Sequence, residues 1–223
     1  MRGGPETVET GRGPAQVAVT MPGESAGSSG DRVEQRVGAG DVAAPTALLV
    51  LGHGAGGSVD APDLVAVHDA AVAAGLAVAL VTQPYRVAGR RAPAPAGHLD
   101  EAWRSVVDLL AERLPGLPLI VGGRSSGARV ACRTAAAVGA AGIVALAFPL
   151  HPPGRPERSR AGELLTGVPT LVVNGSADPF GVPDAAPGVE LVVLPGERHD
   201  LRKAPETVGR AVVTWLGARG WAR

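Results

Sequence analysis

The chain holds a single cysteine, Cys132, among its 223 residues. One cysteine excludes an intrachain disulfide framework and any CxxC metal or redox site. It fits a reducing compartment, and a cytoplasmic setting is the expectation. Lysine is almost missing as well: Lys203 is the only one, so arginine supplies the remaining basic charge, which we read as a coding bias. Neither sign of charge is in excess, with Lys+Arg and Asp+Glu at 21 each. That balance speaks against electrostatic binding of nucleic acid or an anionic membrane. No long hydrophobic run is present. The longest uncharged stretch, Thr134 to Leu150, is 17 residues and carries Gly139, Gly142 and Pro149, too short and too broken for a membrane span. The opening residues MRGGPE contain no apolar core of a signal peptide, so none is expected. Aromatics are only 3%.

What the chain has in quantity is glycine, 32 residues, and proline, 20. Together they stay just under the ~25–30% that marks low-complexity disorder. The hydrophobic share of 45% is too high for disorder throughout. The length suits one domain with a real core. Residues 1–44 read as a hairpin, Thr7–Glu9 and Gln16–Thr20 around Gly11-Arg12-Gly13, followed by a mobile Gly/Ser-rich loop from Pro22 to Asp41. Residues 45–223 read as the main body of the domain.

From Pro45 onward short apolar runs alternate with amphipathic stretches. Strands are predicted at Thr46–Leu51, Leu76–Thr82, Leu117–Val121, Ile143–Ala147, Thr170–Asn174 and Glu190–Leu194. Helices are predicted at Pro62–Ala74, Leu99–Leu114, Ser126–Val138 and Ala204–Ala218, the second with Leu99, Trp103, Val106, Val107, Leu110 and Leu114 on one face. This alternation predicts an α/β domain, a mostly parallel sheet flanked by helices on both faces. Ligands bind beyond the carboxyl ends of such strands, so the loops there are where chemistry belongs.

The loop after Leu117–Val121 reads Gly122-Gly123-Arg124-Ser125-Ser126-Gly127, and residues 123–127 fit G-x-S-x-G. A serine on a tight strand-to-helix turn projects its hydroxyl out of the sheet, and the flanking positions must be small because strand and helix pass close. A bare hydroxyl is a weak nucleophile and needs a base. The loop after Glu190–Leu194 supplies His199. The base needs a carboxylate to fix its tautomer, and Asp178 follows Thr170–Asn174; Asp184, Glu197 and Asp200 are weaker candidates. Taken singly, a surface histidine and an Asx turn before Pro179 are the plainer readings. Taken together, Ser125, Asp178 and His199 stand behind three different strands in the Ser–Asp–His order of α/β hydrolases. An oxyanion hole requires preorganised N–H donors. The backbone of Ser126 offers one, and the early glycine loop Gly52-His53-Gly54-Ala55-Gly56-Gly57 offers the other, at Ala55 or, as second choice, Gly56. His53 reads as a loop brace. Tyr85, Phe148 and Phe180 fall just past strand ends, where a pocket wall belongs, and Arg124 borders the nucleophile.

The same residues meet rival motifs. Residues 52–57 also match G-x-G-x-x-G, but the next strand ends Val81-Thr82-Gln83-Pro84 with no acid for a ribose. Residues 122–127 have P-loop spacing, but Ala128-Arg129 stands where Lys-Ser/Thr is required. The five histidines form no H-x-x-x-H pair, so no metal site is expected.

With these motifs in view, the chain resembles small, capless, dienelactone-hydrolase-like α/β hydrolases, and more narrowly the KANL3/Tex30-like group. The resemblance rests on LGHGAGGSVDAPDL (51–64), GGRSSGARVA (122–131), FPLHPPGRPE (148–157), NGSADPFG (174–181) and PGERHDL (195–201). It implies a Ser125–Asp178–His199 triad and a site edged by His151 in the HPPG segment. Dienelactone hydrolases proper use a cysteine nucleophile, whereas this elbow carries Ser125, so that substrate is not implied.

Two classes of function follow. One is a serine hydrolase acting on a small acyl substrate, an ester or thioester, without metal or organic cofactor. Acyl transfer or perhydrolysis would use the same groups. The other is a non-catalytic interaction module keeping the fold. Geometry discriminates, since the base must come within about 3 Å of the hydroxyl. Arginines 86, 90, 91, 155, 158 and 198 fall in the carboxyl-end loops, where solvated charge is the simpler reading than an anionic substrate. Between Ile143–Ala147 and Thr170–Asn174 there is no room for a large lid. Composition is silent on oligomeric state.

Overall fold

The computed structural model describes residues 4–23 and 44–223. Glu6–Val8 (β1) and Ala15–Thr20 (β2) form an antiparallel hairpin. β2 then lies antiparallel along Ala77–Thr82, so the hairpin extends the main sheet and is no separate unit. The expected mobile loop falls, apart from Pro22 and Gly23, outside the described residues.

The apolar runs become the middle of that sheet. Leu48–Gly52 (β3), Ala77–Thr82 (β4), Leu119–Arg124 (β5), Gly142–Leu146 (β6) and Thr170–Gly175 (β7) are buried on nearly every residue. Strands covered on both faces need no polar alternation, which is why these segments are continuous in valine, leucine and alanine. Val189–Leu194 (β8) is an edge strand, buried at its two end residues and partly or fully exposed between them. The order is β1-β2-β4-β3-β5-β6-β7-β8, with β4 through β8 in that order all parallel.

The helices are Pro62–Ala73 (α1), the short Pro84–Val87 (α2), Ala96–Arg113 (α3), Ser126–Thr134 (α4) and Pro205–Gly217 (α5). On one face, Trp103, Val106 and Leu110 of α3 pack with Val130 and Ala131 of α4. On the other, Leu64 and Val67 of α1 pack with Val208, Val212 and Leu216 of α5. Each buried large aliphatic side chain contributes roughly 1.5–3 kcal/mol, so both layers are needed to hold the sheet. Cys132 is buried in α4 and its thiol is pushed up to about 12 by burial, so it is inert at neutral pH.

The differences from expectation are local. α4 stops at Thr134, four residues early, and the chain continues in turns to Gly139. β5 runs on through Gly122 and Gly123 to Arg124, because the ladder to β3 continues as far as Gly52–Gly123. α2 was not anticipated. Between β6 and β7 there is a single 3₁₀ turn, Ala161–Leu164, and no lid domain. No helix among the described residues is long and apolar enough to cross a membrane.

Candidate active site

The carboxyl ends of β3, β5, β7 and β8 bring four loops together. At the end of β5 the chain turns sharply into α4, and Ser125 at the turn has φ 53° and ψ −110°. A non-glycine residue held at positive φ stores strain, and it is tolerated here because both neighbours are locked. The Ser125 N–H donates to the Leu146 carbonyl on β6 (2.8 Å). A Cβ on Gly123 or Gly127 would run into the Gly52 carbonyl oxygen, so only glycine lets β3, β5 and α4 meet this closely. The result is a half-exposed hydroxyl above the first turn of α4.

His199 lies in the loop after β8, with its side chain 18% exposed. Its Nδ1–H donates to Oδ2 of the fully buried Asp178 carboxylate at 2.8 Å, which fixes the tautomer. Its Nε2 is thereby free to accept the Ser125 Oγ–H, at 2.9 Å. Asp178 is itself fixed, since its Oδ1 accepts the Phe180 N–H at 2.8 Å. The Phe180 ring lies against the imidazole, with centroids 4.2 Å apart. The acid loop is tied to β7 by Asn174, fully buried, which accepts from the Phe148 N–H and donates to the carbonyls of Phe148 and Gly181.

The glycine loop after β3 closes the arrangement. Gly57 N–H donates to the Gly54 carbonyl, making a tight turn with Ala55 and Gly56 at its tip. The turn sits on Ser125: a Cβ on Gly54 would lie 3.5 Å from Ser125 Cβ. Two side chains hold it. Tyr85 Oη–H donates to the Ala55 carbonyl at 2.7 Å. His53, 3% exposed, donates from Nδ1 to the Gly54 carbonyl at 2.8 Å and accepts the Gln83 N–H at Nε2, 3.1 Å. Burial pulls its pKa below the ordinary value, with the nearby Arg86 charge adding to the effect, so the ring is neutral.

Residues 45–206 match the alpha/beta hydrolase domain family. The chain belongs to that family. A search of curated proteins finds no match. Among solved structures, this alpha/beta hydrolase is similar to XC6422 from Xanthomonas campestris, described as an a/b serine hydrolase without lid. The identity is 21% over 100% of this chain and 96% of that one, with a TM-score of 0.73. It is also similar to Est1E from Butyrivibrio proteoclasticus (17% identity, 97% and 98% of the two chains, TM-score 0.72). Dienelactone hydrolase from Anabaena variabilis is a third (18%, 100% of both chains, TM-score 0.69). At these identities the likeness is one of fold.

Within the alpha/beta hydrolase framework, the sequence-derived site residues fall as follows. Ser125, Asp178 and His199 are brought together. Of the weaker acids, Asp200 pairs with Arg202 and Glu197 accepts the Ala204 N–H before α5, so neither faces the imidazole. Phe180 is at the site against His199, while Tyr85 is 7% exposed and acts as a loop brace instead of a wall. Phe148 is not at the edge at all. It is fully buried, because Ala147, at φ 45°, turns the chain inward and sends the ring into the core. His151 backs the acid loop: its N–H donates to the Phe180 carbonyl, its Nδ1–H to the Pro152 carbonyl, and its ring abuts Gly181. Arg124 pairs with Asp63 and donates from Nη2 to the His199 carbonyl at 2.9 Å. Sequence reasoning missed Asn174, Gln83 and Asp63, three buried polar groups that hold the loops. A polar residue at a strand end or first helical turn inside an apolar neighbourhood was the available signal.

Proposed function

We propose that this alpha/beta hydrolase is a serine esterase-like enzyme that cleaves a small ester, thioester or related acyl bond. The observation that supports the reading above all others is the unbroken relay from Ser125 Oγ through His199 to Asp178, at 2.9 and 2.8 Å. Ser125 Oγ attacks the acyl carbon while its proton passes to His199 Nε2. The imidazolium that forms is stabilised by the Asp178 carboxylate. The negative oxygen of the tetrahedral intermediate is met by the N–H of Ser126, at the amino end of α4, and by that of Ala55, with Gly56 as the second choice. A donor of this kind is worth roughly 10²–10³ in rate. Collapse breaks the bond to the leaving group, which takes the proton from His199. Water then attacks the acyl-serine with His199 again as base, releasing the acid and restoring the hydroxyl.

The absence of a lid among the described residues favours small or exposed acyl groups. The KANL3/Tex30-like placement is part of the same proposal, supported by the stretches at 51–64 and 148–157, and so is a cytoplasmic setting. Covalent labelling by a fluorophosphonate probe tests the reading. Wild type is expected to label and Ser125→Ala to stay unlabelled. Equal labelling of both, or none of the wild type, rejects it.

A further inference from the structure

One buried charge pair lies beside the relay without taking part in it. Asp63, in the first turn of α1, has a side chain with no solvent exposure. Its Oδ2 lies 3.0 Å from Nε of Arg124, which is 15% exposed. The contact is an ion pair whose N–H misses hydrogen-bond alignment, and Oδ1 is occupied by the Leu64 N–H. The guanidinium has further neighbours. Nη2 donates to the His199 carbonyl, and Nη1 would lie 3.3 Å from a Cβ on Gly54. One planar group therefore contacts the helix after the glycine loop and the histidine loop, and it borders the glycine loop at Gly54. Its own backbone directly precedes Ser125.

We propose that Asp63 and Arg124 are a positioning pair that holds the His199 loop and the glycine loop in register with Ser125. Arg124 reaches His199 through its backbone carbonyl, so it governs where the imidazole sits and touches no reacting atom. Asp63 holds the guanidinium in place by its charge. Lysine cannot fill the role, because a point charge lacks the rigid fork that bridges two partners.

The energetics fit a role other than stability. Burial pushes the Asp63 carboxyl up to about 6 even with the Arg124 charge beside it. The charged pair is thus held at neutral pH against the preference of the fold. Buried ion pairs of this kind are often replaced by well-packed hydrophobic residues of similar volume without loss of stability.

The proposal rests on the serine-hydrolase reading for its meaning in catalysis, and the test separates the two. The double variant Asp63→Leu with Arg124→Met removes both charges, so neither is left buried and unpaired; Arg124→Lys keeps the charge and removes the fork. Three readouts apply: thermal unfolding, the rate of fluorophosphonate inactivation, and the NMR resonance of the His199 Nδ1 proton. The double variant is expected to melt no lower than wild type. Its inactivation is expected to slow ~10- to 100-fold, the scale of a ~1 Å misplacement. The Nδ1 proton is expected to broaden as the ring loses its fixed place. Arg124→Lys is expected to slow and broaden in the same way. A folded double variant or Arg124→Lys that inactivates at the wild-type rate, with an unchanged His199 resonance, overturns the proposal. If the double variant does not fold, Arg124→Lys decides by the same readouts. If the wild type is not inactivated, the hydrolase reading falls, and the His199 resonance alone decides whether the pair holds the loop.

Discussion

His53 and Asp63 bracket the glycine loop at its two ends, and their ionisation pulls stability in opposite directions with pH. In the unfolded chain His53 titrates near 6.5, and burial lowers that value in the folded protein. On acidification below 6.5 the unfolded chain takes up a proton that the folded one refuses, so stability falls. For Asp63 the folded value is raised from 3.8 to about 6. The folded chain then keeps a proton that the unfolded chain has lost, and this group's contribution falls as pH rises from about 4 to about 6. Urea midpoints across that range separate the two. Any deficit of His53→Asn against wild type is expected to shrink as pH drops from 6.5. Asp63→Asn is expected to lose ground against wild type as pH drops from about 6 to about 4. Differences that stay constant with pH reject both assignments. At this scale the sequence was a partial guide. Ser125, Asp178 and His199 were legible because each lies just past an apolar run. Asp63 and Asn174 were not, since a polar residue becomes buried only when a distant segment covers it. Phe148 was misjudged because a strand-end position does not reveal which way the next turn goes.

Among the elements, the amino-terminal hairpin has a polar anchor of its own. Thr20 Oγ1–H, at the end of β2, donates to His68 Nε2 on α1 (2.9 Å), and His68 Nδ1–H donates to Asp69 (2.6 Å). The order hydroxyl–imidazole–carboxylate repeats that of the candidate site, but Thr20 is 4% exposed and offers no attack path. Its work is to pin the hairpin to the helix layer. Thr20→Val leaves the buried imidazole nitrogen without a donor and is expected to lower stability by about 1–3 kcal/mol. Asp69→Ala removes a carboxylate whose own side chain is 66% exposed and is expected to cost less. Urea unfolding of the two variants checks the ranking; equal losses would mean that the hydroxyl is not the anchor. The hairpin itself was readable from Gly11 and Gly13 between two short apolar-alternating runs. Its place on β4 was not, because nothing local states which sheet edge a hairpin joins. The extension of β5 through two glycines was likewise decided by its neighbour, β3.

At the scale of the whole molecule, the helices form two layers that meet the sheet from opposite sides, one through α3 and α4, the other through α1 and α5. The layered α/β plan was legible because the runs that form β3 to β7 are too apolar to face water on either side. The site occupies the one rim where the loops after β3, β5, β7 and β8 converge, and no single layer contains it. That arrangement has a consequence in time. Ser125 and His199 are 74 positions apart, and β6 and β7 lie between their strands. Non-local parallel pairing forms late, because the intervening chain must first be closed. On refolding from urea, helical circular dichroism is expected to return before fluorophosphonate reactivity does. Simultaneous recovery would show that the edge strand docks as early as the helices. On the proposed reading, that expected delay leaves Ser125 without its base until the last strand is home, so the nascent chain passes through its most accessible stage without an activated hydroxyl.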